Sequence, residues 1–127
     1  MIVNNPATLA ELTAAFACYE QALMDNDLVT LDSLFWTSPL TLRFGVGENL
    51  YGIDAIQEFR KNRRGGSPKR VLHNTVITTY GTDCGTTNTE FLRENSTAIG
   101  RQSQSWVRFP EGWRIVSAHV SLMAGCS

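Results

Sequence analysis

The second half of the chain constrains the fold most, because nearly all of it has the composition and spacing of β-strands. Four long segments are rich in Val, Ile, Thr and aromatic residues, and turns that contain glycine separate them. This pattern predicts an antiparallel sheet, with Pro110-Glu111-Gly112 as a three-residue hairpin loop between the last two strands. The predicted strands are Arg70–Tyr80, Thr86–Arg93, Arg101–Phe109 and Trp113–Met123.

The first part of the chain has the apolar spacing of helices. A stripe with alternating steps of three and four residues predicts a first helix, with Thr8 as its N-cap and Glu11 completing a capping box. Asp27 is predicted to cap a second, shorter helix from Leu28 to Phe35. The stripe of the first helix consists of Leu9, Leu12, Phe16, Tyr19 and Leu23.

Between these regions lie a short strand and a third helix. The segment from Leu40 to Phe44 alternates with a period of two residues, which places Arg43 on the face opposite to Leu40, Leu42 and Phe44. The third helix should bury Ile53, Ile56 and Phe59 and end in a basic run before Gly65-Gly66-Ser67-Pro68. We therefore expect an α+β fold, a cone of about three helices packed on a curved antiparallel sheet, with a cavity for one small molecule.

Length and composition predict one globular domain over residues 1–127. Apolar residues make up 43% of the chain and the formal net charge is −1, which excludes a disordered regulator and a generally basic nucleic-acid or membrane binder. No apolar run approaches the ~20 residues of a membrane-spanning helix. The first residues do not resemble a signal peptide, so a cytoplasmic location is expected. The cysteines Cys18, Cys84 and Cys126 are too dispersed for a zinc site and are expected to be free thiols.

Three residues stand out as candidates for chemistry. Tyr19 occupies a core-facing helix position, where its hydroxyl either donates to a backbone carbonyl or lies in the cavity. Arg43 either faces solvent or holds a planar carboxylate, and Gly45 on the same face suggests space beside it. His119 is expected on the strand face of Trp113 and Ile115, as a structural residue or a base.

The remaining motifs are weak. The chain has no G-x-S-x-G elbow, phosphate-binding loop or dinucleotide fingerprint. The basic run from Arg60 to Arg70 is best explained by cations at a helix C-terminus, where they complement the helix dipole. Arg60 is the exception, since its head could turn into the site of an acidic ligand.

Several stretches resemble the SnoaL-like, NTF2-like family, and within it the group of oxalurate-catabolism proteins and 1,3-dicarboxyurea deaminases. The resemblance implies a cone-shaped homodimer encoded beside an amidase. For the s-triazine branch of the group it implies conversion of 1,3-dicarboxyurea, the product of that amidase, to allophanate, and for members in oxalurate or other nitrogen-compound clusters it leaves the substrate open. It also implies that a helix-one tyrosine and a strand arginine are catalytic, which here are Tyr19 and Arg43. The stretches are Arg43-Phe44-Gly45, Glu48-Asn49-Leu50-Tyr51-Gly52, Thr78-Thr79-Tyr80-Gly81, Thr89-Glu90-Phe91, Gly100-Arg101-Gln102-Ser103-Gln104-Ser105-Trp106 and Gly112-Trp113-Arg114-Ile115-Val116-Ser117-Ala118-His119-Val120-Ser121.

Our functional hypothesis is removal of a terminal N-carboxylate or amide from a small anionic ureido acid, without metal or cofactor. Two alternatives remain open at this point. The first is a binding or accessory protein for an amidase, and the second is a cofactor-free isomerisation or cyclisation of an apolar substrate. The predicted substrate-binding residues are Arg60, Tyr80, Gln102, Gln104 and His119.

Overall fold

The computed structural model describes residues 1–124, in which six strands form one curved sheet. The four long strands are antiparallel neighbours in chain order, as predicted, and the two short strands extend the sheet beyond the last of them. The spatial order is β2-β1-β6-β5-β4-β3, and β1 lies parallel to β6. The strands are β1 (Leu42–Phe44), β2 (Asn49–Tyr51), β3 (Arg70–Tyr80), β4 (Cys84–Arg93), β5 (Ile99–Phe109) and β6 (Gly112–Leu122).

Three helices contact the sheet: α1 (Pro6–Asp25), α2 (Leu28–Leu34) and α3 (Ile53–Asn62). The α+β prediction is therefore confirmed. The predicted start of α1 is wrong, because its N-cap is Asn5, whose side chain accepts a hydrogen bond from the Thr8 backbone N–H at 3.2 Å. Pro6 fits the first helical position because that residue needs no backbone donor. Asp27 caps α2, as predicted.

The helices and the inner face of the sheet enclose the apolar core. Leu12, Leu31, Ile56 and Ile115 are fully buried there. Phe16, Tyr19 and Leu23 of the α1 stripe are buried as well, whereas Leu9 is half-buried. Burial of each such side chain contributes roughly 1.5–3 kcal/mol relative to an exposed position. Leu40 does not belong to this core, because it precedes β1 in a turn and is 73% exposed.

A β-bulge in β6 reverses the faces of its last residues. Ser105 pairs with Ser117, whereas the next residue of β5, Trp106, pairs with Ile115, so Val116 is the extra residue. An extra residue shifts the alternation by one position. Trp113 and Ile115 therefore face inward but His119 faces outward, which corrects the predicted common face.

The chain reverses more tightly between β5 and β6 than predicted. Phe109 pairs directly with Gly112, so the loop is the two residues Pro110 and Glu111. Cys18 and Cys84 are exposed free thiols, as predicted, and Cys126 lies outside the described residues. Within residues 1–124, no helix is long and apolar enough to cross a membrane.

Candidate functional site

Five arginines and three phenylalanine rings line one end of the interior, and we call the five arginines the arginine cluster. Each guanidinium carbon lies 4.5–5.7 Å from the centroid of a phenylalanine ring, a distance that allows cation–π attraction. Arg43 and Arg63 contact Phe59, Arg60 contacts Phe35, and Arg70 and Arg93 contact Phe91.

Arg43 points into the molecule from the middle of β1. It pairs across the sheet with Ala118, which is buried, and with Leu50, which packs against the core. Its side chain is only 14% exposed, so the solvent-facing alternative is wrong. Its Nη1 atom is buried and has no hydrogen-bond partner among the described residues.

The space beside Arg43 holds the carboxylate of Glu48. Its Oε2 atom lies 3.8 Å from Arg43 Nη1, and this oxygen is also buried without a hydrogen-bond partner among residues 1–124. Gly45 makes the position available, because a Cβ there would collide with that carboxylate. The space predicted to be clear beside Arg43 is therefore filled by a side chain of the same hairpin.

Arg60 is buried between α3 and α2, where it meets a carboxylate and an aromatic ring. Its Nη1 donates to Asp32 Oδ1 at 2.7 Å, and its guanidinium stacks on Phe35 at 4.5 Å. Burial lowers the pKa of Arg60, an effect that the nearby Tyr19 and Asp32 oppose and the charge of Arg43 reinforces.

Tyr19 lies against the same group of side chains. It is 4% exposed, and its ring centroid lies 6.3 Å from that of Phe35. The side-chain hydrogen bonds of residues 1–124 include none from the Tyr19 hydroxyl to a carbonyl. The alternative in which this hydroxyl donates to a backbone carbonyl is therefore not observed, and the hydroxyl lies near Arg60 and Arg63, whose pKa values it raises.

Arg70, at the start of β3, is held in a fixed orientation by three hydrogen bonds. It donates two hydrogen bonds to Glu20, at 2.6 and 2.9 Å, and a third to Gln102 Oε1 at 3.0 Å. Arg93 lies directly opposite Arg70 in the β3–β4 pair, and both contact the ring of Phe91. Like charges directly opposite each other destabilise a sheet, so the pair of Arg70 and Arg93 lowers the stability of the fold locally.

Arg63 and Arg93 form no ion pair with the other described residues, and the Nε atom of each is buried without a partner. Burial lowers the pKa of Arg63, and the charge of Arg43 lowers it further. Burial also lowers the pKa of Arg93, reinforced by Arg70 and Arg43. Guanidinium groups stay protonated at neutral pH, so these two half-buried side chains add positive charge to the cluster.

Two glutamines of β5 face the interior in fixed orientations. Gln102 accepts from Arg70 and Gln104 accepts from the Thr87 hydroxyl at 2.9 Å, so each turns its Nε2 atom away from these partners. Both Nε2 atoms are buried and unpartnered within the described residues. Gln104 lies in the same cross-strand row as Arg43, since both pair with Ala118.

Positive charge and hydrogen-bond donors therefore dominate this end of the molecule. The five arginines face three carboxylates, Asp32, Glu48 and Glu20, which leaves two positive charges uncompensated among these groups. A groove of about 490 Å³, which Leu50, Phe59 and Arg63 line, borders the cluster. Such a site suits an anion with several acceptor atoms. No group of three metal-ligating residues occurs among the described positions.

The structure does not bring all predicted site residues to this cluster. Arg60, Gln102 and Gln104 lie with Tyr19 and Arg43, but Tyr80 ends β3 at the strand terminus opposite to Arg70 and is 42% exposed. His119 is exposed on the outer face, where its ring packs edge-on against Phe44 at 5.8 Å. The β6 bulge places His119 on this outer face. Neither Tyr80 nor His119 contacts the interior site.

Sequence reasoning missed four residues of the site: Glu48, Arg63, Arg70 and Arg93. The basic run was explained by the helix dipole, yet Arg63 and Arg70 both turn inward. A usable signal existed in β4, because Thr87, Thr89, Phe91 and Arg93 share one face with a period of two residues. An arginine that continues an inward series is not a surface residue.

The chain is similar to one family model and to several solved structures. The AtzH-like family model matches residues 1–125. A crystal structure of a DUF3225-family protein of unknown function from Pectobacterium atrosepticum is 57% identical, with a TM-score of 0.94, and the match covers 96% of this chain and 95% of that chain. A cystatin-like fold protein from Burkholderia xenovorans is 46% identical, with a TM-score of 0.94 and 99% coverage of both chains.

A more distant structure supports the fold alone. An NTF2-like protein of unknown function from Pseudomonas putida is 15% identical, with a TM-score of 0.75, over 91% of this chain and 86% of that chain. The predicted NTF2-like, cystatin-like fold is thus confirmed. The search of curated proteins found no match.

Proposed function

The chain belongs to the AtzH-like family, and from that premise we propose that it is an enzyme that removes a terminal N-carboxylate from a small anionic ureido acid. The proposed substrate is 1,3-dicarboxyurea, converted to allophanate, or a related compound of oxalurate catabolism. The observation that carries the proposal is the uncompensated pair of positive charges beside Tyr19 and Arg43. A dianion of planar carboxylates would neutralise that charge.

The proposed step assigns one role to each central residue. Arg43 holds the ureido acid and stabilises the negative charge that develops on its urea oxygen. Tyr19 donates a proton to the nitrogen, the bond between nitrogen and the carboxylate carbon breaks, its electron pair stays on nitrogen, and carbon dioxide leaves. Water then returns a proton to Tyr19. This route uses no base, whereas attack by water would require one, and the base predicted for that route, His119, lies on the outer face.

Tyr19→Phe is the decisive variant for this step. We expect turnover of 1,3-dicarboxyurea, supplied by the neighbouring amidase, to fall by about 10²–10⁴-fold, since that is the usual contribution of general acid catalysis. Binding of the anion should change little, because the ring and its contact with Phe35 remain. The measurement is allophanate formation under conditions where the amidase is in excess.

Tyr80→Phe is the matched control, because it removes the same hydroxyl from a tyrosine far from the cluster. It should keep full turnover. Normal turnover by Tyr19→Phe would eliminate the assigned role of Tyr19. Carbon dioxide as the first carbon product supports decarboxylation, and bicarbonate as the first product would require the step to be rewritten with water as nucleophile.

The outer face of the sheet favours a protein partner, which we propose to be a second copy of this chain. Val71, Leu92 and Ile99 lie in one cross-strand row on that face and are 40–63% exposed. Exposed apolar rows of this kind mark interaction surfaces. Light scattering should give twice the 14.1 kDa of one chain for a homodimer. A monomer that associates only when the amidase is added would favour the accessory function.

A further inference from the structure

The buried atoms at the arginine cluster that lack a hydrogen-bond partner are mostly donors. Five are donors: Arg43 Nη1, Arg63 Nε, Arg93 Nε, Gln102 Nε2 and Gln104 Nε2. One is an acceptor, Glu48 Oε2. A ligand that satisfies all of them would carry several acceptor oxygens and at least one N–H or O–H group.

The position of Glu48 indicates that its carboxylate belongs to this site and is not an incidental counter-ion. Its Oε2 atom is 3.8 Å from Arg43 Nη1, which is ion-pair distance but beyond hydrogen-bond distance, so the lone pairs of this buried oxygen remain unused. The electrostatic influence of Glu48 also reaches Arg63 and Arg93. Among the unpartnered atoms, it is the acceptor in a group of donors.

The backbone around Glu48 supports the same conclusion. The carboxylate lies where a Cβ of residue 45 would otherwise be, so the glycine at that position admits it next to Arg43. The backbone N–H of Gly45 donates to the Glu48 carbonyl at 2.8 Å, which closes the β1–β2 hairpin. The hairpin therefore sets both the residue and the room for its side chain.

We infer that Glu48 is a specificity-determining residue, whose Oε2 accepts a hydrogen bond from the N–H of the bound anion. This inference rests on the proposed function and adds to it a means of selecting ureido and amide acids over carbon isosteres. An N–H of the ligand supplies the donor that the buried Glu48 Oε2 lacks, whereas a CH₂ group at that place leaves this oxygen unpartnered, so an anion with a CH₂ group there binds less tightly.

Two stable dianions provide the test, because N-oxalylglycine and 2-oxoglutarate differ only by N–H in place of CH₂. The wild-type protein should bind N-oxalylglycine about 10–100-fold more tightly, the range for one hydrogen bond to a charged group. Titration calorimetry measures both dissociation constants. The ratio of the two is the readout, because a general change in charge or packing alters both constants together.

Three variants separate specificity from structure. Glu48→Met removes the acceptor at similar size and should bring the ratio close to one, whereas Glu48→Gln keeps a neutral acceptor and should retain part of the preference. Gly45→Ala should displace the carboxylate and lower the ratio without touching Glu48 itself, which serves if Glu48→Met does not fold. Glu111→Met, in the exposed β5–β6 turn, is the control and should keep the wild-type ratio.

The outcomes distinguish this inference from the proposed function. Tight binding of both dianions with equal affinity would overturn the role of Glu48 and leave the anion site intact. An unchanged ratio in Glu48→Met would do the same. Binding of neither dianion by the wild-type protein would overturn the anion site, and with it the role of Glu48.

Discussion

Strand alternation turns every second side chain into the interior, but the inward side chains are apolar at one end of the interior and charged at the other. At one end, Leu12, Trp106 and Ile115 are almost fully buried, and the polar atom of Trp106 is satisfied by the Thr87 hydroxyl at 2.9 Å. At the other end, arginines occupy the inward positions and stack on phenylalanine rings. The apolar end stabilises the fold. The arginine cluster lowers that stability and creates a positive electrostatic potential that favours an anion.

An inward position in this sheet does not by itself require an apolar residue. Phe91 continues the inward series of β4 and lies over Gly100, which leaves room for its ring because a Cβ there would collide with it. The ring then supports Arg70 and Arg93 on the next row. Each aromatic ring thus covers the flat face of a guanidinium and leaves its N–H edges to hydrogen-bond acceptors, which for Arg60 and Arg70 are side chains of the protein.

The largest expected effect belongs to the apolar end. Trp106→Ala should lower the free energy of unfolding by about 3–5 kcal/mol, since it leaves a large cavity and removes the N–H that donates to the Thr87 hydroxyl. Denaturant titration followed by circular dichroism measures this loss. A loss similar to that of Val29→Ala, at an exposed position of α2, would contradict the assignment of this end as the stabilising one.

The arginine cluster should respond in the opposite direction. Arg93→Met should leave the free energy of unfolding unchanged or raise it by about 1 kcal/mol, because an unpaired charge facing Arg70 is replaced by an apolar chain over Phe91. Anion binding should weaken at the same time. Thermal melting with and without N-oxalylglycine tests both effects, and a clear loss of stability would show that the cluster supports the fold.

The smallest effect concerns the exposed cap of α2. Hydrogen bonds from the Thr30 hydroxyl and the Thr30 backbone N–H lower the pKa of Asp27 below its usual 3.8. A lowered folded-state pKa stabilises the protein above the unfolded-state pKa, and this contribution is lost as the pH falls through the folded-state value. The free energy of unfolding, measured between pH 7 and pH 2, should therefore fall less steeply with decreasing pH in Asp27→Asn than in the wild-type protein. Equal slopes for both proteins would mean that the cap carries no proton linkage.

Most of the fold was predictable because its signals are local. The strand composition of β3, the cap of α2 and the position of Arg43 opposite to Leu42 and Phe44 follow from neighbours a few residues away. Errors occurred where distant strands decide the geometry. The extra residue Val116 in β6 becomes visible only through its pairing with β5, and it moves His119 to the outer face.

The site was predictable only in part, for the same reason. Tyr19, Arg43, Arg60, Gln102 and Gln104 stood in patterns that pointed inward or in stretches that resembled a family. The partners that give them their chemistry come from other elements, such as Asp32 from α2 and Glu20 from α1. No spacing in the sequence links Arg93 to Arg70, which meet across a strand pair.

By itself, the sequence determined the order of helices and strands, the α+β class and the position of Arg43 on the face of β1 opposite to Leu42 and Phe44. These properties depend on side-chain periodicity and local hydrogen bonds, which act over one or two turns of chain.

Only the tertiary structure decided which of the two faces of β1 points inward. It also decided which charges are compensated and which are not. Asp32, Glu20 and Glu48 each meet an arginine through the packing of separate elements or a tight hairpin. Arg63 and Arg93 face the same interior without an ion-pair partner among the described residues. Whether an arginine finds a carboxylate depends on distances in space, which spacing along the chain does not give.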